Sequence, residues 1–247
     1  MAVDSTNVNL PAAQAFLEGK LEMPESISPG AAAAAPAWSD YPANSITIIV
    51  FTFLALITLR SFLNILPLLL DSFSRWKGCM TIDASVRLKS DRNLLGYICI
   101  LPISLVADRF GLFTVGILDL IPAEWHLAGT FGVIIAWLLL RRIFYFICSA
   151  RTRRAETFRT AHMSMLNFLI LMAGAMIIIA GIISFTEISE EIGRTVLIYV
   201  AGAVYLVGVL RESQILASFC SQIQTFLYLC ALEFIPTGAL VVANILL

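Results

Sequence analysis

The hydrophobic positions of this chain fall in long blocks, and the charged positions collect between them. A helix needs about 20 consecutive apolar residues to cross the hydrocarbon core of a bilayer. Blocks of that order occupy 46–69, 125–140, 163–185, 195–210 and 219–247, and the stretch MSMLNFLILMAGAMIIIAGIISF at 163–185 is the cleanest. Another block begins near 94, where LLGYICILPISLVA stays apolar only as far as Asp108 and Arg109. The stretch that follows, FGLFTVGILDLIPAEW, either completes a long kinked span or lies along the interface. The pattern therefore predicts an all-α, polytopic transmembrane helix bundle of about six spans over residues 46–247.

Composition sharpens this reading. The chain of 247 residues is 59% hydrophobic and 13% charged, with a mean hydropathy of +0.89. Soluble domains carry about 25% charged residues, so a soluble helical bundle is disfavoured. Residues 1–45 stand apart, with Pro, Ala, Ser, Gly and acids dominating and a low-complexity GAAAAAPA segment. They read as a disordered, non-cytoplasmic tail without a cleavable signal peptide. Trp38 and Tyr41, just before the first block, are expected to anchor it at the interface.

Charge placement sets the expected orientation. Arg75, Lys77, Arg87, Lys89 and Arg92 follow the first span; Arg141, Arg142, Arg151, Arg153, Arg154 and Arg159 follow the third; Arg211 follows the fifth. These twelve of the 16 basic residues all fall on one side of an alternating six-span topology. By the positive-inside rule that side is cytoplasmic. Both termini are then non-cytoplasmic, and the location is a bacterial inner (cytoplasmic) membrane. The basic stretch RRIFYFICSARTRRAETFR also interleaves its charges with Ile143, Phe144, Phe146, Ile147 and Phe158. It is expected to form a lipid-facing basic loop on anionic headgroups.

Two ionisable residues fall deep within apolar blocks. Glu233 lies midway along the last span and Arg60 along the first. An acid at the centre of a membrane helix costs about 2.5–3.5 kcal/mol on insertion scales. Their depths match closely enough for Arg60 and Glu233 to form an intramembrane ion pair. Pro236 removes a helical hydrogen bond one turn after Glu233 and should bend the span. Asp108 with Arg109, and Arg211 with Glu212, read instead as interfacial charges. Ala128, Gly132 and Ala136 recur every fourth residue, and Gly174 and Gly181 lie a heptad apart; both sets are candidate helix-packing faces.

Other chemistry is sparse. The two histidines, His126 and His162, fall at opposite membrane faces, and the five cysteines show neither disulfide nor zinc spacing. No metal or cofactor is expected, no loop is long enough for a catalytic domain, and nothing suggests nucleic-acid binding. The stretch YLCALEFIP is similar to the C-terminal signature of an uncharacterised family of polytopic bacterial inner-membrane proteins. The resemblance implies that Tyr228, Cys230, Glu233 and Pro236 belong to a recurring motif, and it implies no reaction or substrate. The expected partners are the lipid bilayer and a protein of the membrane or envelope. The leading expectation is a non-enzymatic component of a cell-envelope or secretion-related assembly. The alternative is a small transporter or proton-coupled carrier using Arg60 and Glu233.

Overall fold

The computed structural model describes residues 38–113, 121–150, 155–186, 189–218 and 220–246. The chain divides into two units, Met1–Ala37 and Trp38–Leu247. The first, which holds most of the expected tail, lies outside the described residues. Among the described residues 92% are helical and none is in a strand.

A 3₁₀ turn at Trp38–Asp40 leads into α1 (Pro42–Ser74), which has Pro42 in its first turn. Proline suits that position because its missing N–H would be unpaired there anyway. Two short helices follow, α2 (Trp76–Ala84) and α3 (Val86–Ile98), each entered through an extended residue, Arg75 and Ser85. The 76–84 stretch, which reads as a charged loop, is thus helical, and it buries Cys79 and Ile82 under α1 and α6. After α4 (Ile100–Arg109) come a 3₁₀ turn at Ala123–Trp125, α5 (His126–Ala150), α6 (Ala155–Phe185) and α7 (Glu190–Ala217). The last segment is α8 (Gln222–Leu229), a π-helical turn at Cys230–Phe234, and α9 (Ile235–Leu246).

Among the described residues five segments are long and apolar enough to cross a membrane: Pro42–Ser74, Ala123–Cys148, Arg159–Phe185, Glu190–Ala217 and Gln222–Val242. This is an all-α bundle of a multi-pass membrane protein. The sixth apolar block is divided between α3 and α4, whose junction is the turn residue Cys99. Pro102 explains the break, since it cannot donate the helical bond to Ile98. The two pieces nonetheless run the length of the bundle. Asp108, at the end of α4, accepts a hydrogen bond from Trp38 Nε1 at 2.7 Å and lies 3.2 Å from His126 Nδ1. The end of α4 therefore meets the starts of α1 and α5. At the other end of the bundle, Arg211 of α7 donates to the carbonyls of Phe73 and Ser74 at 2.8–3.2 Å, capping the last turn of α1.

Helix α6 is the centre of the fold and supplies buried residues to all three apolar clusters. Leu169, Ala173, Met176 and Ile183 pack against α4, α5 and α7; Phe168 packs against α2 and α7; Ile170 packs against α1, α2 and α3. Lipid tails are as apolar as leucine, so close packing must hold these helices together. Close approach occurs at glycines other than the expected ones. A Cβ on Gly208 would sit 3.0 Å from Phe168, and one on Gly96 3.0 Å from Leu166. By contrast, a Cβ on Gly132, Gly174 or Gly181 would meet nothing within 4 Å, and Ala128, Gly132 and Ala136 are exposed. That stripe lies on the outer face of α5, so spacing alone identified small residues without identifying the packed side.

Candidate functional site

Glu233 is fully buried, and its partner is Arg141 of α5. Arg60 is exposed on α1 and forms no ion pair with Glu233. The expected pairing is therefore corrected: the acid is matched by a cation, but by one that reads in the sequence as the start of a basic loop. Arg141 and Arg142 are adjacent on α5 and so point about 100° apart. Arg141 turns into the bundle at 2% exposure, while Arg142 is exposed. Arg159 is also exposed, and Arg151, Arg153 and Arg154 lie outside the described residues.

All five N–H donors of Arg141 are used. Nε donates to Glu233 Oε1 at 2.7 Å, and Nη2 donates to the same oxygen and to Glu212 Oε2 at 2.9 Å. Nη1 donates to His162 Nδ1 at 2.9 Å and to the His162 carbonyl at 3.1 Å. Because guanidinium only donates, Nδ1 of His162 must be bare and the ring proton sits on Nε2. The imidazole is stacked on Tyr145, one turn beyond Arg141 on α5, with ring centroids 4.3 Å apart.

A second set of bonds reaches the other oxygen of Glu233. Tyr205 Oη lies 3.0 Å from Glu233 Oε2 and 2.8 Å from Thr237 Oγ1, and Trp137 Nε1 donates to Thr237 Oγ1 at 3.3 Å. When Tyr205 donates its one proton to the carboxylate, Thr237 must donate to Tyr205 and accept from Trp137. Indole, threonine and tyrosine then form a single directed chain ending on Glu233. Such aligned chains polarise one another in a medium of low dielectric.

The π turn supports this geometry. Ile235 N–H bonds the carbonyl of Cys230, five residues back, where an α-helix would reach four. Pro236, which is buried, cannot continue the α-helical ladder, and the wide turn accommodates it. Leu232 and Glu233 are fully buried, while Phe234 and Ile235 face outward. Of the other motif residues, Tyr228 packs beside the apolar cluster around Ile215, and Cys230 is a half-buried free thiol.

Glu212 escaped the sequence reading because it follows Arg211 and reads as interfacial. It is 1% exposed, with Oε2 on Arg141 and no hydrogen-bond partner for Oε1. A signal existed: Tyr205, Gly208, Glu212 and Ile215 share one helical face, and two small or apolar residues on it mark the inward side. At 1.5 Å per residue, Glu212 lies about 8 Å from the end of α7 and Glu233 about 16 Å from the start of α8. The cluster thus extends from near one end of the bundle toward its middle. His126 belongs to the opposite end of the bundle, beside Asp108.

Among the described residues no group of three or more His, Cys, Asp or Glu side chains is arranged to hold a metal ion. No family model, curated protein or solved structure matches the chain.

Proposed function

We propose that this protein is a small proton-coupled carrier of the bacterial inner membrane, and that Arg141, Glu212 and Glu233 are its coupling site. The observation that carries the reading is the imbalance of charge: one guanidinium faces two carboxylates, both sealed from solvent. An uncompensated carboxylate in such a place costs several kcal/mol, so the surplus negative charge calls for a proton or another cation. The unpartnered Oε1 of Glu212 is where it would bind. Ionisable chains of this kind inside membrane bundles are the usual material of proton relays. The π turn at Glu233 is a helix irregularity of the sort concentrated at functional sites. The stretch 228–236, which carries the resemblance to an uncharacterised inner-membrane family, supplies Glu233 to this site and Pro236 beside it. Six crossings, with the Arg-rich end cytoplasmic and both termini outside, complete the proposal.

The test is charge movement. Purified full-length protein in liposomes, adsorbed on a sensor and exposed to a pH jump, should give a transient current absent from protein-free liposomes. Glu212→Gln should abolish it. If the parent protein gives no more current than empty liposomes, the carrier reading fails.

A second reading, a non-enzymatic component of a cell-envelope or secretion-related assembly, has its own support. Arg141 and Glu233 are closed off and every N–H of Arg141 is satisfied, as suits a fixed joint between helices. It predicts silence in the pH jump together with a stoichiometric protein partner after mild-detergent purification.

A further inference from the structure

A cavity of about 360 Å³ lies between the α3–α4 segment, α5 and α6, beside the charged cluster. Pockets of about 300–1,000 Å³ are the size that holds small ligands. Three separate helices give this cavity the same polarity. Toward the Arg-rich end of the bundle its wall is made by Tyr97, Arg142, Tyr145 and His162. Farther along the same helices, toward the middle, it is made by Ile100, Ile135, Leu138 and Leu169. From residue 145 back to residue 135 is about 15 Å of helix, long enough for much of an acyl chain.

The polar end is selective in sign. Arg142 brings a full positive charge, and the bond from Arg141 to His162 Nδ1 leaves the imidazole with its proton on Nε2, as a donor. Among the described residues no aspartate or glutamate lines the cavity. Entry is lateral: Tyr97 and Leu139, on two different walls, are 55% and 54% exposed, so a molecule already in the bilayer can slide in without leaving it.

We propose that this cavity is a binding site for one membrane lipid with an anionic phosphate headgroup. The phosphate lies against Arg142 and His162, and one acyl chain runs between Leu138 and Leu169. The site does not depend on the proton-coupled reading, since its occupancy is measured without transport.

The experiment measures thermal unfolding of the full-length chain in a neutral maltoside detergent. It is titrated separately with short-chain phosphatidylglycerol, with the matching phosphatidylcholine, and with inorganic phosphate. Phosphatidylglycerol should raise the midpoint at concentrations several-fold lower than phosphatidylcholine does, and inorganic phosphate should do nothing. Arg142→Gln, a change on an exposed position, should erase the preference for the anionic lipid. Leu138→Trp should weaken both lipids by filling the chain end. Arg87→Gln with Lys89→Gln, at the same end but off the cavity, should leave the preference intact. Equal responses to the two lipids would overturn the proposal, and so would a full response to inorganic phosphate, which would mark a small-anion site. Retained preference in Arg142→Gln, or its loss in the Arg87 and Lys89 variant, would assign the effect to general surface charge. Should Leu138→Trp not fold, the Arg142 comparison still decides.

Discussion

Two buried carboxylate sites, one toward each end of the bundle, use opposite chemistry. Asp108, whose side chain is 3% exposed, is held by neutral or rim-exposed donors: Trp38 Nε1 at 2.7 Å, Thr130 Oγ1 at 3.3 Å, and Nδ1 of His126, whose side chain is 37% exposed. Glu233 and Glu212 are held by a full guanidinium that is itself buried. The two histidines follow suit. A carboxylate only accepts, so His126 carries its proton on Nδ1, whereas the guanidinium obliges His162 to carry it on Nε2. Water at the rim shares the cost of a single charge, so dipoles suffice at Asp108. Deeper in, the dipole of Tyr205 on Glu233 is joined by a formal charge, and two carboxylates exceed what one guanidinium offsets.

The strongest challenge to this contrast is Arg141→Gln. It leaves two buried acids without a cation, and the expected loss is about 3–5 kcal/mol of stability, read as the largest fall in thermal midpoint in detergent. A variant as stable as the parent would mean that the two acids need no cation.

Removing one acid should be milder, because Arg141 then faces one carboxylate instead of two. Glu233→Gln forfeits charge-assisted bonds worth about 1.5–3 kcal/mol. In a double-mutant cycle, Arg141→Gln and Glu233→Gln together should cost less than the sum of the two single changes. Strict additivity would show that the two side chains do not act as a pair.

At the rim, Asp108→Ala should cost about 1–2 kcal/mol, the scale of lost hydrogen bonds and newly unpaired donors. A loss as large as that of Arg141→Gln would erase the distinction between the two sites. Smallest of all is Arg60→Gln, which should leave the thermal midpoint unchanged and show no coupling to Glu233→Gln, because Arg60 is exposed and belongs to neither site.

Sidedness is tested separately. In a cysteine-free background, a cysteine at Ser85 should be labelled only from the cytoplasmic side and one at Ser189 only from outside. Labelling of both from one side would refute the proposed topology.

The blocks of apolar residues determined that the chain is helical and membrane-spanning, since only a span with all its backbone bonds internal is tolerated in lipid. They also exposed Glu233 as a charge needing a partner, and Pro236 as an irregularity beside it. Linear order could not say which cation answers it. In the sequence Arg60 stands out because it alone among the basic residues sits deep in an apolar block, whereas Arg141 hides beside Arg142 and Glu212 beside Arg211. One step along a helix turns a side chain through about 100°, and that rotation sends one member of each pair inward and the other out. The same rotation left Ala128, Gly132 and Ala136 on the outer face of α5. Burial inside a bundle in lipid leaves no hydrophobic gradient to read, because both faces of a helix are apolar. Only the packing of α5, α6, α7 and α8 decided which charges meet.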